Sequence, residues 1–131
     1  MYKIENRTSG YILTFAGVMN QPEMQIWYNE SKAQLDLETQ TSFGVIIDMR
    51  NLAPLSVESQ NIMIAGQQLY KDKGMNRSAV LLADAIICLQ FVKLAKKSGI
   101  YATERYIDVT KHRNPIDIAI NWVKDALDPD L

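Results

Sequence analysis

The chain has 131 residues, a formal net charge of −1 and a single cysteine. That length describes one domain, with enough buried surface to fold without a metal or a disulfide. The near-neutral charge argues against general nucleic-acid binding, which needs a basic face to neutralise phosphates. No apolar run approaches the ~18 residues of a membrane span, and Met1–Arg7 lacks the apolar stretch of a signal peptide. Cys88 has no internal partner and sits in an apolar run, so it reads as a small buried hydrophobe in a reducing compartment. The protein is therefore expected to be cytoplasmic, with no membrane span and no nucleic-acid partner.

Tyr2 to Thr8 reads as a weak first strand, with Tyr2 and Ile4 alternating with Lys3 and Glu5. Ser9-Gly10 makes a tight turn into a second strand, Tyr11 to Val18. Two strands joined so closely must be antiparallel. Asn20-Gln21-Pro22-Glu23 opens the first helix, because proline is tolerated where its missing N–H would be unpaired anyway. Met24, Trp27, Tyr28, Ser31 and Leu35 share one face of that helix at helical spacing.

Phe43 to Asp48 is the central strand. Val45-Ile46-Ile47 is continuously apolar and β-branched, as in a strand covered on both faces. Asp48 is expected at its carboxyl end, where open α/β sheets usually meet ligands and partners. Pro54 disfavours helix at Ala53, and Ser56 is a good N-cap. The second helix is predicted from Val57 to Lys73, with Ile62, Met63, Ala65, Gly66, Leu69 and Tyr70 as its apolar stripe.

Arg77 to Ala83 is the next buried strand. Asp84 caps a third helix, Ala85 to Ser98, which is apolar around most of its circumference. One sheet face cannot cover that much apolar surface, so a neighbouring helix, a second subunit or a ligand is expected there. Thr103 to Asp108 reads as a short edge strand. Asn114 and Pro115 open a final helix whose Ile116, Ala119, Ile120, Val123 and Leu127 are expected to face inward, with Trp122 beside them. Residues 1–127 thus form the domain, and 128–131 a disordered-looking C-terminal tail.

The order is β-β-α-β-α-β-α-β-α. After the first hairpin, strands and helices alternate, which demands crossover connections and a parallel arrangement. The expected fold is a single-domain α/β, five-stranded mixed sheet with helices packed on it.

This order, with Gly44-Val45-Ile46-Ile47-Asp48-Met49-Arg50 and the closing Tyr106-Ile107-Asp108 and Ile118-Ala119-Ile120-Asn121-Trp122-Val123, resembles the SpoIIAA-like family of the STAS-domain superfamily. That superfamily is named for sulfate transporters and anti-sigma-factor antagonists. The resemblance spans nearly the whole chain and rests on pattern rather than on a signature. In the anti-sigma antagonists the loop after the central strand carries an Asp-Ser pair. A partner kinase phosphorylates the Ser, and the modification breaks a protein complex. Counted from Asp48, the pair falls on Ser56-Val57, so Val57, which has no hydroxyl, stands at the acceptor position. Ser56 and Ser59 are the neighbouring phosphoacceptor candidates. Asp48 and Arg50 are the candidate strand-end site.

No catalytic constellation is legible. His112 is the only histidine, which excludes a His-pair metal site, and no Cys or His cluster has metal spacing. No glycine-rich phosphate loop follows a strand. Asp48, Asp84 and Asp108 could gather at strand ends, but a cap and two loop anchors account for them. Neither a cofactor nor a metal is expected. The reading is a non-enzymatic, STAS-like protein-interaction module, as a homodimer or with another protein. The alternative is a carrier or sensor of a lipid-like or other apolar small molecule. Met63, Tyr70, Ile86, Leu89, Phe91, Val92 and Leu94 are the candidates for the dimer face or the ligand pocket.

Overall fold

The computed structural model describes residues 1–38 and 41–131. The elements are β1 (Tyr2–Arg7), β2 (Gly10–Gly17), α1 (Gln21–Leu37), β3 (Phe43–Leu52), α2 (Val57–Asp72), β4 (Met75–Leu82), α3 (Ala85–Ser98), β5 (Glu104–Asp108) and α4 (Pro115–Asp125). A short 3₁₀ turn, Tyr101–Thr103, precedes β5. The sheet is mixed and five-stranded, with β1 antiparallel to β2 and the remaining neighbours parallel.

Strand order follows the chain, β1-β2-β3-β4-β5. Each parallel strand is therefore laid beside the one before it, always in the same direction. Crossovers of one hand then place every connecting helix on the same face. The core agrees: α1, α2 and α3 pack with Leu13, Phe15, Val45, Ile47 and Val80 in one large cluster. The chain turns back only after β5, so α4 alone covers the opposite face, over Ile46, Ala79, Leu81 and Ile107.

This one-sided plan explains β3. Where α4 reaches, Val45-Ile46-Ile47 is buried on both faces. Beyond it, buried Met49 lies between half-buried Asp48 and Arg50, the alternation of a strand with one wet face. Asp48 is thus not at the strand end, because β3 runs on to Leu52. It lies mid-strand between Thr14 and Leu81, and its carboxylate accepts from the Arg50 backbone N–H (3.2 Å) and from Arg50 Nε (3.0 Å).

The caps obey the local sequence. Asn20, Ser56 and Asp84 each accept from a first-turn N–H of α1, α2 and α3. Asn114 precedes Pro115 as expected, but its side chain makes no capping bond. Gly99 ends α3 at φ 88°, a left-handed conformation that glycine adopts without a Cβ clash.

Two sequence expectations are corrected on α4. Ala119 and Trp122 face the sheet, but Ile116, Ile120 and Leu127 are exposed. No further element covers them among the described residues. The helix is instead held by hydrogen bonds: Arg77 donates to the carbonyls of Trp122 (2.9 Å) and Val123 (3.1 Å), and the Trp122 indole N–H donates to the Ser78 carbonyl (3.0 Å). Nor is the segment after α4 loose where it meets the sheet. Asp128 accepts two bonds of 2.9 Å from Arg105, whose guanidinium stacks 4.3 Å from the centre of the Trp122 ring.

Candidate interaction surface

The loop between β3 and α2 is clasped by side-chain amides. Leu55 is buried, and both its backbone polar groups are read by Gln90 of α3: the N–H donates to Oε1 at 2.9 Å, and the carbonyl accepts from Nε2 at 3.0 Å. Gln60 of α2 donates to the same carbonyl at 2.9 Å. A buried loop needs such partners, because its peptide groups have no strand or helix to pair with. In the sequence Gln90 is only one polar position among several. Its one signal is that it stands as a lone uncharged polar residue in the apolar first half of α3.

The amide clasp orients the first turn of α2. Ser56 is exposed, and its hydroxyl accepts from the Ser59 N–H at 3.2 Å. Ser59 is fully buried, and its hydroxyl donates to the Met19 carbonyl at 2.7 Å, tying α2 to the loop before α1. The two serines are therefore unlike. A kinase can reach Ser56 on the folded chain, whereas reaching Ser59 requires α2 to lift. Val57, at the expected acceptor position, is 67 % exposed.

The seven apolar candidates do not share one surface. Met63, Tyr70, Phe91 and Leu94 are buried and face the sheet, and Val92 is half-buried. Ile86 and Leu89 point the other way, 65 % and 67 % exposed. The apolar circumference of α3 is thus mostly absorbed by the core, and an outward pair is left over.

Inside the core, Met63, Tyr70 and Phe91 line a cavity of about 30 Å³ that Gln67 and Glu104 also reach. That is room for no more than a water or two. Pockets for drug-sized ligands run to about 300 Å³ or more, so an apolar molecule could enter there only by displacing core side chains. Glu104 is completely buried, accepting from the Ser78 hydroxyl (2.7 Å) and the Tyr106 hydroxyl (2.8 Å). Burial pushes its carboxyl up to about 7, against the two hydrogen bonds, which pull it down. Its role is invisible in the sequence, where β5 reads as a partly polar edge strand.

The remaining reactive groups are dispersed. Cys88 is half-buried rather than buried, and burial pushes its thiol up, away from the thiolate that nucleophilic chemistry needs. His112 is exposed in the loop before α4. Asp84 caps α3, and Asp108 accepts from the Thr110 N–H (2.9 Å) and hydroxyl (2.6 Å). Among the described residues, no three His, Cys, Asp or Glu side chains gather as a metal site. No helix there is long and apolar enough to cross a membrane.

A surface groove of about 290 Å³ runs between α2 and α3 from the clasp outward. It is lined by Gln60, Leu89, Gln90, Lys93, Leu94 and Lys97.

No protein-family model matches the chain, and no curated protein does. Among solved structures it is similar to one described as the structure of the anti-sigma factor antagonist SpoIIAA in its unphosphorylated form. The two share 9 % sequence identity with a TM-score of 0.59, and the match covers 89 % of this chain and 96 % of that one. At that identity the likeness is one of fold, and it makes the fold of this chain SpoIIAA-like, of the STAS type.

Proposed function

We propose that this SpoIIAA-like STAS domain is a cytoplasmic, non-enzymatic module that works by docking another protein at the end of the sheet where α2 and α3 begin. The observation that carries the reading is the exposure of Val57, Ile86 and Leu89 beside the hydrogen-bonded loop between β3 and α2. Single exposed aliphatics are ordinary. Ile86 and Leu89 are one turn apart on α3, and Val57 is the first residue of α2, the helix that packs against α3. Apolar groups held out by a frame this well bonded suit association better than chemistry.

The strand order supports the same reading. In doubly wound sheets, ligands enter where the order reverses, leaving a crevice between helices on opposite faces. The parallel strands here never reverse. Ser56, Asp84 and Asp108 are each engaged locally, and Cys88 and His112 lie on separate elements. Ser56 stands beside the apolar trio, so a phosphate there would place charge within the docking surface.

The test is photo-crosslinking. A benzophenone side chain is installed at Leu89 and, in a second variant, at exposed Gln25 on α1. A discrete adduct with one identified protein at Leu89 and not at Gln25, reproduced with that protein purified and abolished by Ile86→Asp, supports the proposal. An adduct with a second copy of the chain would turn the module into a homodimer. No adduct at Leu89, or equal adducts at both positions, would overturn it.

A further inference from the structure

We infer that the α2–α3 groove takes an acidic amphipathic helix from the protein partner, with an apolar side chain seated against Leu89 and carboxylates lying on Lys93 and Lys97. The inference rests on the docking reading above and supplies the partner's chemistry.

Ile86, Leu89, Lys93 and Lys97 are spaced by three or four residues, so they form one stripe along the exposed side of α3. The stripe changes character along its length, apolar at the clasp and cationic toward Gly99. Other lysines near this end of the helix are already engaged. Lys96 lies 4.9 Å from the centre of the Tyr101 ring, and Lys71 donates to the Gly99 carbonyl at 3.2 Å. Lys93 and Lys97 form no ion pair among the described residues. The helix dipole accounts for a cation in the last turn, which suits Lys97. It does not account for Lys93, a turn further in.

Across the groove, Gln60 of α2 completes the lining, and among the described residues no carboxylate lines the cleft. The charge is therefore unbalanced in one direction. An incoming segment gains by carrying Asp or Glu and is repelled if it carries Lys or Arg. A straight stripe in a groove between two helices fits a third helix, which presents anchors at the same three- and four-residue spacing.

The probe is a fluorescein-labelled helical peptide with two leucines at one end of a face and three glutamates along the rest. Its counterpart has lysine for each glutamate. Fluorescence anisotropy against the full chain should show the acidic peptide binding about ten-fold tighter than the basic one at low salt, with the difference shrinking as salt rises. K93E/K97E should reverse that preference, while the same charge change at exposed Lys111 and Lys124 should not. Both lysines of the stripe are exposed, so circular dichroism should show the fold kept. Equal binding of the two peptides, or a preference unchanged in K93E/K97E, overturns the inference. If crosslinking at Leu89 finds a partner while the acidic peptide shows no preference, the docking module stands and its acidic ligand falls. If neither is seen, both fall.

Discussion

The Ser78 hydroxyl donates to Oε2 of Glu104 at 2.7 Å, joining β4 to β5 inside the core with no cation opposite among the described residues. The other carboxylate oxygen accepts from Tyr106, whose hydroxyl also lies 3.5 Å from the Phe91 carbonyl. A protonated Glu104 could donate to Tyr106 and let Tyr106 donate onward to Phe91. Both hydroxyls favour the anion, and burial with no facing cation among the described residues outweighs them.

Stability should accordingly depend on pH. The carboxyl is raised from an ordinary 4.5 to about 7 in the folded chain. The folded state therefore holds a proton that the unfolded chain has released across that interval. The contribution is fully present below 4.5, fades as pH rises through about 7, and amounts to about 3 kcal/mol at most. Urea unfolding between pH 5 and 8 should show stability falling for the native chain and holding nearly level for Glu104→Gln. A Glu104→Gln protein with the same slope as the native one would place the titration elsewhere.

Trp27 of α1 lies over the bare Cα of Gly66 on α2, and a Cβ at that position would collide with the indole ring. Trp27 is itself boxed in, 5.2 Å from Phe15 and stacked on Tyr70, so it has nowhere to go. Alanine would gain about 1 kcal/mol of helix propensity and lose roughly 1–3 kcal/mol to overpacking. Gly66→Ala should thus destabilise the fold by roughly 1 kcal/mol net and lower the denaturation midpoint. An increase would mean that the helices separate more easily than their packing indicates.

Ser56 and Ser59 offer a paired comparison. Ser56→Ala removes an exposed cap, and Ser59→Ala leaves the Met19 carbonyl without its buried donor; each should cost about 1 kcal/mol. Their chemistry should separate them where their stabilities do not. After treatment with a serine kinase, peptide mapping of the folded protein should find any phosphate on Ser56 and none on Ser59. Phosphate on Ser59 in the folded state would show that α2 lifts at its first turn.

Arg105 holds the Asp128 carboxyl down at about 2. A group lowered in this way contributes stability above its ordinary value of 3.8, and that stability is lost as pH falls through about 2. Asp128→Asn should melt below the native protein at pH 7, and the two melting temperatures should converge at pH 2. Persistent separation at pH 2 would mean that Asp128 holds the C-terminal segment by packing rather than by charge.

Much of this architecture can be read along the chain. Asn20, Ser56 and Asp84 announce three helix starts, Gly99 a helix end, and Val45-Ile46-Ile47 the buried centre of the sheet, because caps and hydrophobic period are set by neighbours within one or two turns. Other features depend on residues far away in the sequence. Asp48 reads as a strand end because apolar continuity stops there. β3 in fact continues with one face wet, since the strand order sends α1, α2 and α3 to one side and leaves α4 to cover only part of the other. The same layout buries Ser59 under the Met19 loop, encloses Glu104 among apolar side chains, and turns Ile86 and Leu89 outward while Phe91 and Leu94 turn in. Periodicity can show that a helix has an apolar surface. Which part of that surface stays in contact with water depends on what the rest of the chain brings against it.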